Sequence, residues 1–326
     1  MKSTIVESKF IRKEILAGGV TTQKLLAFGS LIAIFIAFSV VSPNFAKFDN
    51  IVGILLATAV TGILAVGITF VVITSGIDLS IGTVMAFSAV CAGLFITNMK
   101  LPIFVGVLGG IAAGGLCGFL NGTAIAKAKI PPFIATLGMM MITKGLSLVL
   151  SNARPIYFND TPAFTKISTG TVFGIPNAVL IFFVVAIIAS LILSKTVLGR
   201  YTVAIGSNED AARLSGINVD KWKIIIYTLC GIFAGIAGII MAARLNSAQP
   251  ALGAGYEMDA IAAAVIGGTS LSGGEGTILG TVIGAFIISV LTNGLRIMSV
   301  PQEWQTVITG CIVILAVYMD IKRRRK

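Results

Sequence analysis

Residues 51–97 read IVGILLATAVTGILAVGITFVVITSGIDLSIGTVMAFSAVCAGLFIT. Two apolar runs, 52–73 and 81–97, flank a short polar interruption that holds Asp78. A hydrocarbon layer of about 30 Å is crossed by roughly 20 apolar residues in a helix. Each run is therefore long enough to span a membrane, and the interruption predicts a helix break at depth. Backbone groups freed at such a break must meet water, a solute or other protein.

The rest of the chain repeats the pattern. Of 326 residues, 56% are hydrophobic and only 11% are charged, where a soluble domain carries roughly a quarter. So little polar surface cannot cover the molecule against water, and lipid is the solvent that fits. Apolar runs at 25–41, 52–73, 81–97, 102–126, 132–150, 177–194, 223–244, 258–272, 277–297 and 304–320 predict an all-α integral membrane protein of about ten transmembrane helices. The eighth is the weakest, being short and ending in the glycine-dense GGTSLSGGEG.

Charge sets the orientation. The net charge of +11 does not form one basic stripe, so no nucleic-acid partner is implied. With the N-terminus in the cytoplasm, 17 of the 24 Lys and Arg fall on the inner side and six on the outer side. Lys144 alone lies within a span, and no role is assigned to it. The expected organisation is a cytoplasmic N-terminal segment (1–24), a transmembrane domain (25–320) and a basic cytoplasmic tail (321–326). No cleavable signal peptide is expected, because the run Leu25 to Val41 is followed by Ser-Pro-Asn, and ten spans with this cation bias are expected to lie in a bacterial inner membrane with both termini in the cytoplasm. Residues 151–176, with Pro155, Pro162 and Pro176, form an external loop with a short strand or helix of its own. Residues 195–223 form the longest cytoplasmic loop, where a helix begins at Ser207 or Asn208, with Ser207 and Asp210 as a capping-box-like pair, and stops by Gly216.

Glycine spacing predicts how the helices meet. Gly106, Gly110, Gly114, Gly118 and Gly122 recur every fourth residue, as do Gly276, Gly280 and Gly284. Small residues at this spacing let helix backbones approach closely in lipid. In addition, VVITSGIDLSIG (71–82) aligns without a gap on AAVIGGTSLSGG (263–274), placing Leu79-Ser80 on Leu271-Ser272 and Gly76 and Gly82 on Gly268 and Gly274. Asn121-Gly122 followed by Pro131 is echoed by Asn293-Gly294 followed by Pro301. These echoes suggest a weak internal duplication, and interrupted segments at matching places in two halves point to a translocation path.

Absent residues exclude chemistries. The chain has no histidine, so a histidine triad, a histidine metal cage and an imidazole proton relay are ruled out. Cys91, Cys117, Cys230 and Cys311 are scattered within apolar runs and read as small hydrophobes rather than a zinc site or disulfide framework. No catalytic residue, metal site or cofactor is expected, and an intramembrane enzyme is the weakest reading. The Walker A pattern G-x-x-x-x-G-K-[ST] is missing, so any ATP would be hydrolysed by another chain. Candidate path residues are Thr74, Ser75, Gly76, Asp78 and Ser80 at the first break, Asn121, Gln249, Glu257 and Asp259, Thr269 and Ser270 at the second break, and Asn293. Such side chains can replace water around a neutral sugar. Each can equally cap a helix or bond a neighbouring one, and Asp78 fits an N-cap. An ion-gradient-driven secondary transporter also remains open, although its carboxylates usually lie deep in the bundle.

The runs GIDLSIG, NGTAIAKAKIPPFIATLGMM, GSNEDAARLSGINV and SAQPALGAGYEMDAIAAAVIGGTSLSGGEG resemble permeases of the ribose/xylose/galactose importer family, from about Phe45 to Asp320. The likeness is nearest to the ribose members over 199–284. The resemblance implies an importer-type permease bundle within an ATP-binding-cassette (ABC) importer, with a second permease copy (identical or related) and an ATPase with two nucleotide-binding halves. It also implies an extracytoplasmic sugar-binding protein. D-ribose leads among the substrates it implies, with allose, xylose, galactose and a signalling furanone compatible. The segment Asp210 to Gly216 is similar to the Glu-Ala-Ala-x-x-x-Gly coupling motif, with aspartate in place of glutamate and Glu209 just before it. Glu209, Asp210, Ala211, Ala212 and Gly216 are thereby implied in contacting the ATPase.

Overall fold

The computed structural model describes residues 25–324. The expected cytoplasmic segment 1–24 and the last two residues of the basic tail lie outside the described residues. The chain is mostly helical, and seven described helices are long and apolar enough to cross a membrane. They are α2 (Phe48–Ile73), α3 with its π-helical extension (Ile81–Asn98), α4 (Ile103–Ala126), α5 (Pro132–Leu150), α7 (Asn177–Lys195), α10 (Val219–Leu245) and α12 (Ile278–Ile297). Each coincides with a predicted span to within a few residues. At the two ends, α1 (Leu25–Val41) is a shorter apolar helix and α13 (Gln302–Arg324) covers the tenth predicted run.

The eighth predicted span, 258–272, is corrected. Its helix, α11, runs only Tyr256–Ile266, and 11 residues rise about 16 Å, half of what a membrane crossing needs. The cause is the glycine run that follows. Gly268, Gly273 and Gly274 adopt positive φ, a conformation in which a right-handed helix cannot continue.

The most buried helix is α2, whose residues from Thr58 to Ile73 are all inaccessible. Together with α3, α10 and α11 it forms the core, around Phe70, Met85, Tyr227, Phe233 and Ala260–Ala264. Cys117 and Cys230 are buried in the same core, so they behave as the small hydrophobes expected. Within the glycine stripe of α4, Gly114, Gly118 and Gly122 face α10, while Gly106 and Gly110 meet α3 and its extension. A Cβ at Gly118 would meet the Tyr227 carbonyl, and one at Gly122 would lie 2.7 Å from the Ile224 Cα. Gly280 and Gly284 set α12 against Gly267 and Ala263 in the same way. Close backbone approach, the expectation drawn from spacing, is what these glycines provide.

Two polar structures sit at opposite ends of α10, about 40 Å apart along a 27-residue helix. At its C-terminal end, the 151–176 loop contributes β1 (Ile156–Tyr157), α6 (Pro162–Thr169), β2 (Thr171–Val172) and β3 (Ile175–Pro176). β1 pairs antiparallel with β4 (Ser247–Ala248), Ile156 opposite Ala248, and β2 pairs with β3. Phe158 stacks on Phe164 at 4.0 Å, anchoring α6.

At the N-terminal end of α10, the 195–223 loop folds into two helices rather than one, α8 (Val197–Ser207) and α9 (Glu209–Leu214). The predicted Ser207–Asp210 capping pair is not formed. Ser207 closes α8 by donating to the Val203 carbonyl, and Asn208 is the N-cap of α9, accepting from Ala211 N–H at 2.9 Å. Gly216, at φ +83°, ends α9 in the left-handed conformation that glycine adopts without cost.

Candidate functional site

The two predicted breaks are real. α2 ends at Ile73 and α3 begins at Ile81, and α11 ends at Ile266 and α12 begins at Ile278. Their starts correspond to within one residue in the 71–82/263–274 alignment, whereas the second break is longer.

At the first break the polar residues bond to one another. Asp78 is buried, and its Oδ1 accepts from Ser80 N–H at 2.9 Å and from Ser80 Oγ at 2.6 Å. Ser80 Oγ accepts in turn from Asn121 Nδ2 at 3.0 Å, and Tyr227 donates to the Ile77 carbonyl at 3.3 Å. Thr74 Oγ1 donates back to the Val71 carbonyl. Asp78 thus makes a turn that leads the chain into α3, two residues before the formal N-cap, which is Ser80. The carboxylate is held by the fold's own donors.

The candidates near α11 lie on the approach to it. Glu257 is buried and accepts from Gly255 N–H at 3.0 and 3.1 Å, and Gln249 donates to Ser247 Oγ at 3.2 Å. Asp259 is half-buried in the first turn of α11. This loop reaches α3: a Cβ at Gly82 would meet the Gly253 carbonyl and lie 2.7 Å from Glu257 Oε2. Glu257 therefore comes beside the helix start that carries Ser80. Thr269 and Ser270 are buried in the second break, with Thr269 Oγ1 finding no protein partner. Asn293 stands apart in α12, one residue before Gly294, where Phe38 packs. Its buried Oδ1 is also without a protein partner.

Sequence reasoning missed one contributor, Gly206. Ser75, at φ +60°, donates to the Ser272 carbonyl at 2.9 Å and lies 3.4 Å from the Gly206 carbonyl. The two breaks thus touch each other and the end of α8. A glycine two residues before a helix cap was the only available signal.

The short helix α9 is anchored by charge. Lys223 Nζ lies 2.6 Å from Glu209 Oε2, Arg213 reaches Glu209 at 3.4 Å and Asp220 at 3.1 Å, and Lys129 bonds Asp220 at 2.9 Å. Partial burial would raise the Glu209 pKa, but the hydrogen bonds and charges of Lys223 and Arg213 outweigh it and hold the carboxyl below the usual carboxylate range. Hydrogen bonding to Asp220 holds the Arg213 guanidinium above its usual value. Of the predicted contact residues, Asp210, Ala211 and Gly216 are exposed. Ala212 instead packs inward with Ile205 and Val219. Leu214, which spacing did not single out, is 89% exposed.

Among the described residues, no group of His, Cys, Asp or Glu could hold a metal ion. The family described as "Branched-chain amino acid transport system / permease component" matches residues 50–317. The ribose import permease protein RbsC of Escherichia coli (strain K12) is 44% identical over 301 residues, covering 90% of this chain and 94% of that protein. Its Bacillus subtilis (strain 168) counterpart is 43% identical, covering 92% and 94%. The fructose import permease protein FrcC of Rhizobium meliloti is 37% identical, covering 89% and 83%. A solved chain of a metal-chelate type ABC transporter in an inward-facing conformation superposes with a TM-score of 0.54 at 15% identity, covering 90% of this chain and 98% of that one. That likeness concerns the fold alone.

Proposed function

This chain belongs to the branched-chain amino acid transport system / permease component family, and on that premise we propose that it is the membrane-spanning subunit of an ABC importer of D-ribose. It is a transport component and performs no covalent chemistry. The observation that carries ribose is the 44% identity, over 90% of the chain, to a ribose import permease. Fructose, xylose and L-arabinose permeases follow at 35–38%, which supports a monosaccharide rather than an amino acid.

The working unit contains this permease, a second copy or a related permease, an ATPase with two nucleotide-binding halves and an extracytoplasmic sugar-binding protein. The chain crosses the inner membrane ten times, nine times as a helix and once as the short α11 continued by the non-helical second break, with both termini in the cytoplasm. The 17-to-6 division of cations supports this orientation. α9 then faces the ATPase, with Asp210, Ala211, Leu214 and Gly216 as its exposed surface. The β1–β4 end faces the sugar-binding protein.

Transport proceeds by alternating access. The ATPase closes on ATP, α9 transmits the motion, and sugar released by the binding protein passes the polar groups at the two breaks. Thr269, whose buried hydroxyl at the second break has no protein partner, is the group best placed to exchange hydrogen bonds with it. The test is reconstitution in proteoliposomes. ATP-dependent ribose uptake is expected only when ATPase and binding protein are both present, without uptake of leucine. Uptake by this chain alone under a proton or sodium gradient, or leucine uptake in its place, overturns the assignment.

A further inference from the structure

Three separate pieces of chain meet at one point, so closely that three glycines there have no room for a Cβ. The Ile73 carbonyl, at the end of α2, accepts from Gly274 N–H in the second break at 2.8 Å. A Cβ at Gly206 would meet that Ile73 carbonyl and lie 2.7 Å from Gly274 N. A Cβ at Gly273 would meet Ser75 Oγ and lie 2.7 Å from the Gly206 carbonyl. One at Gly274 would lie 2.7 Å from Ser207 Oγ. The first break, the second break and the end of α8 are therefore in van der Waals contact, and α8 is followed directly by Asn208, the cap of α9.

The hydroxyl at this point is that of Ser75. It stands between the carbonyls of Ser272 and Gly206, at 2.9 and 3.4 Å, and has one proton to give. Its backbone sits at φ +60°, where a residue with a Cβ is strained and glycine is not. What serine adds here over glycine is the hydroxyl and the hydrogen bond it donates.

We propose that Ser75 is a positioning residue for transport, its hydroxyl bonding the first break to the second at Ser272, where the end of α8 is packed against both through Gly206, so that α9 and the two breaks move together. This rests on the coupling role assigned to α9 above. Ser75 need not touch sugar to do this, since it acts through Ser272 and Gly206.

Ser75→Gly and Ser75→Ala test it in the fully assembled importer. Glycine removes the hydroxyl while relaxing the backbone, and alanine removes it while keeping the strain. Loss of one such hydrogen bond predicts that sugar moved per ATP hydrolysed falls roughly two- to tenfold in both. ATPase co-purification stays unchanged, and the melting temperature of Ser75→Gly stays level or rises. A hydroxyl that merely stabilises the fold would lower the melting temperature of both variants and leave the transport-to-hydrolysis ratio intact. That result, or an unchanged ratio with unchanged stability, overturns the proposal. Failure of its premise is read separately: if Leu214→Asp leaves ATPase association untouched, α9 is not the docking helix, whatever Ser75 does.

Discussion

Gly114 and Gly231 occupy each other's missing side chains: a Cβ on either would meet the other's carbonyl oxygen. The contact is reciprocal and lies midway along the α4–α10 interface. In lipid, apolar side chains gain nothing from leaving the solvent, so helices associate through close packing and polar contacts. Gly231→Val should force the two backbones apart and cost about 1–3 kcal/mol or more, as overpacking does. Gly138→Val, at a position with nothing within 4 Å of an added Cβ, should be near neutral. Thermal unfolding of both variants in one detergent checks the contrast.

The buried Asp78 carboxylate separates the importer from an ion-driven transporter. Its oxygen accepts from Ser80 twice, and an asparagine oxygen can accept the same bonds. Asp78→Asn should therefore retain most ATP-driven uptake, while Asp78→Leu, leaving the Ser80 groups without their acceptor, should lose about 1–3 kcal/mol of stability. A carboxylate that carried protons or sodium would make the asparagine variant inactive. Uptake assays on the two variants decide between these outcomes.

What the sequence made legible follows from what each feature needs. Span positions depend on local composition, so α2 to α5, α7, α10 and α12 were readable from apolar runs alone. The glycine stripe on α4 was readable because close approach demands small residues at helical spacing. Partnerships were not. Nothing local tells Ser80 that Asn121 will donate to it, or Ile156 that Ala248 will pair with it, because those contacts are set by how α4 and α10 pack. α8 was missed for a related reason: VLGRYTVAIGS mixes β-branched residues with two glycines and is helical through its burial of Thr202, Ile205 and Gly206. In α9 the motif marked the helix but not its faces, so Ala212 was grouped with exposed neighbours although it packs inward.

The faces of α9 predict opposite phenotypes. Leu214 is 89% exposed on a short helix outside the candidate spans, the profile of an apolar anchor for a partner's cleft. Leu214→Asp should leave the permease folded and weaken ATPase co-purification by about tenfold or more, a loss of at least ~1.4 kcal/mol. Ala212→Leu should instead disturb the cluster with Ile205 and Val219 and lower permease stability itself. Melting temperature and co-purification, measured together, tell the two apart.

The ion pairs around α9 should make coupling sensitive to salt and acid in a defined direction. Lys129, Asp220, Arg213, Glu209 and Lys223 form a chain of partly exposed pairs. Exposed pairs of this kind contribute little each and are screened by salt, so Asp220→Asn, which removes the charge facing both Lys129 and Arg213, should matter most at low ionic strength. The Glu209 pKa is depressed in the folded protein. Its contribution is therefore complete above the ordinary glutamate pKa and is lost only as pH falls through the lowered value. ATPase stimulation by the permease should accordingly stay level from neutral to mildly acidic pH as far as this anchor is concerned. Glu209→Gln, uncharged at every pH, should lower stimulation at neutral pH and at low salt. At high salt the gap should close. A gap that stays constant with salt would show that Glu209 acts through shape rather than charge.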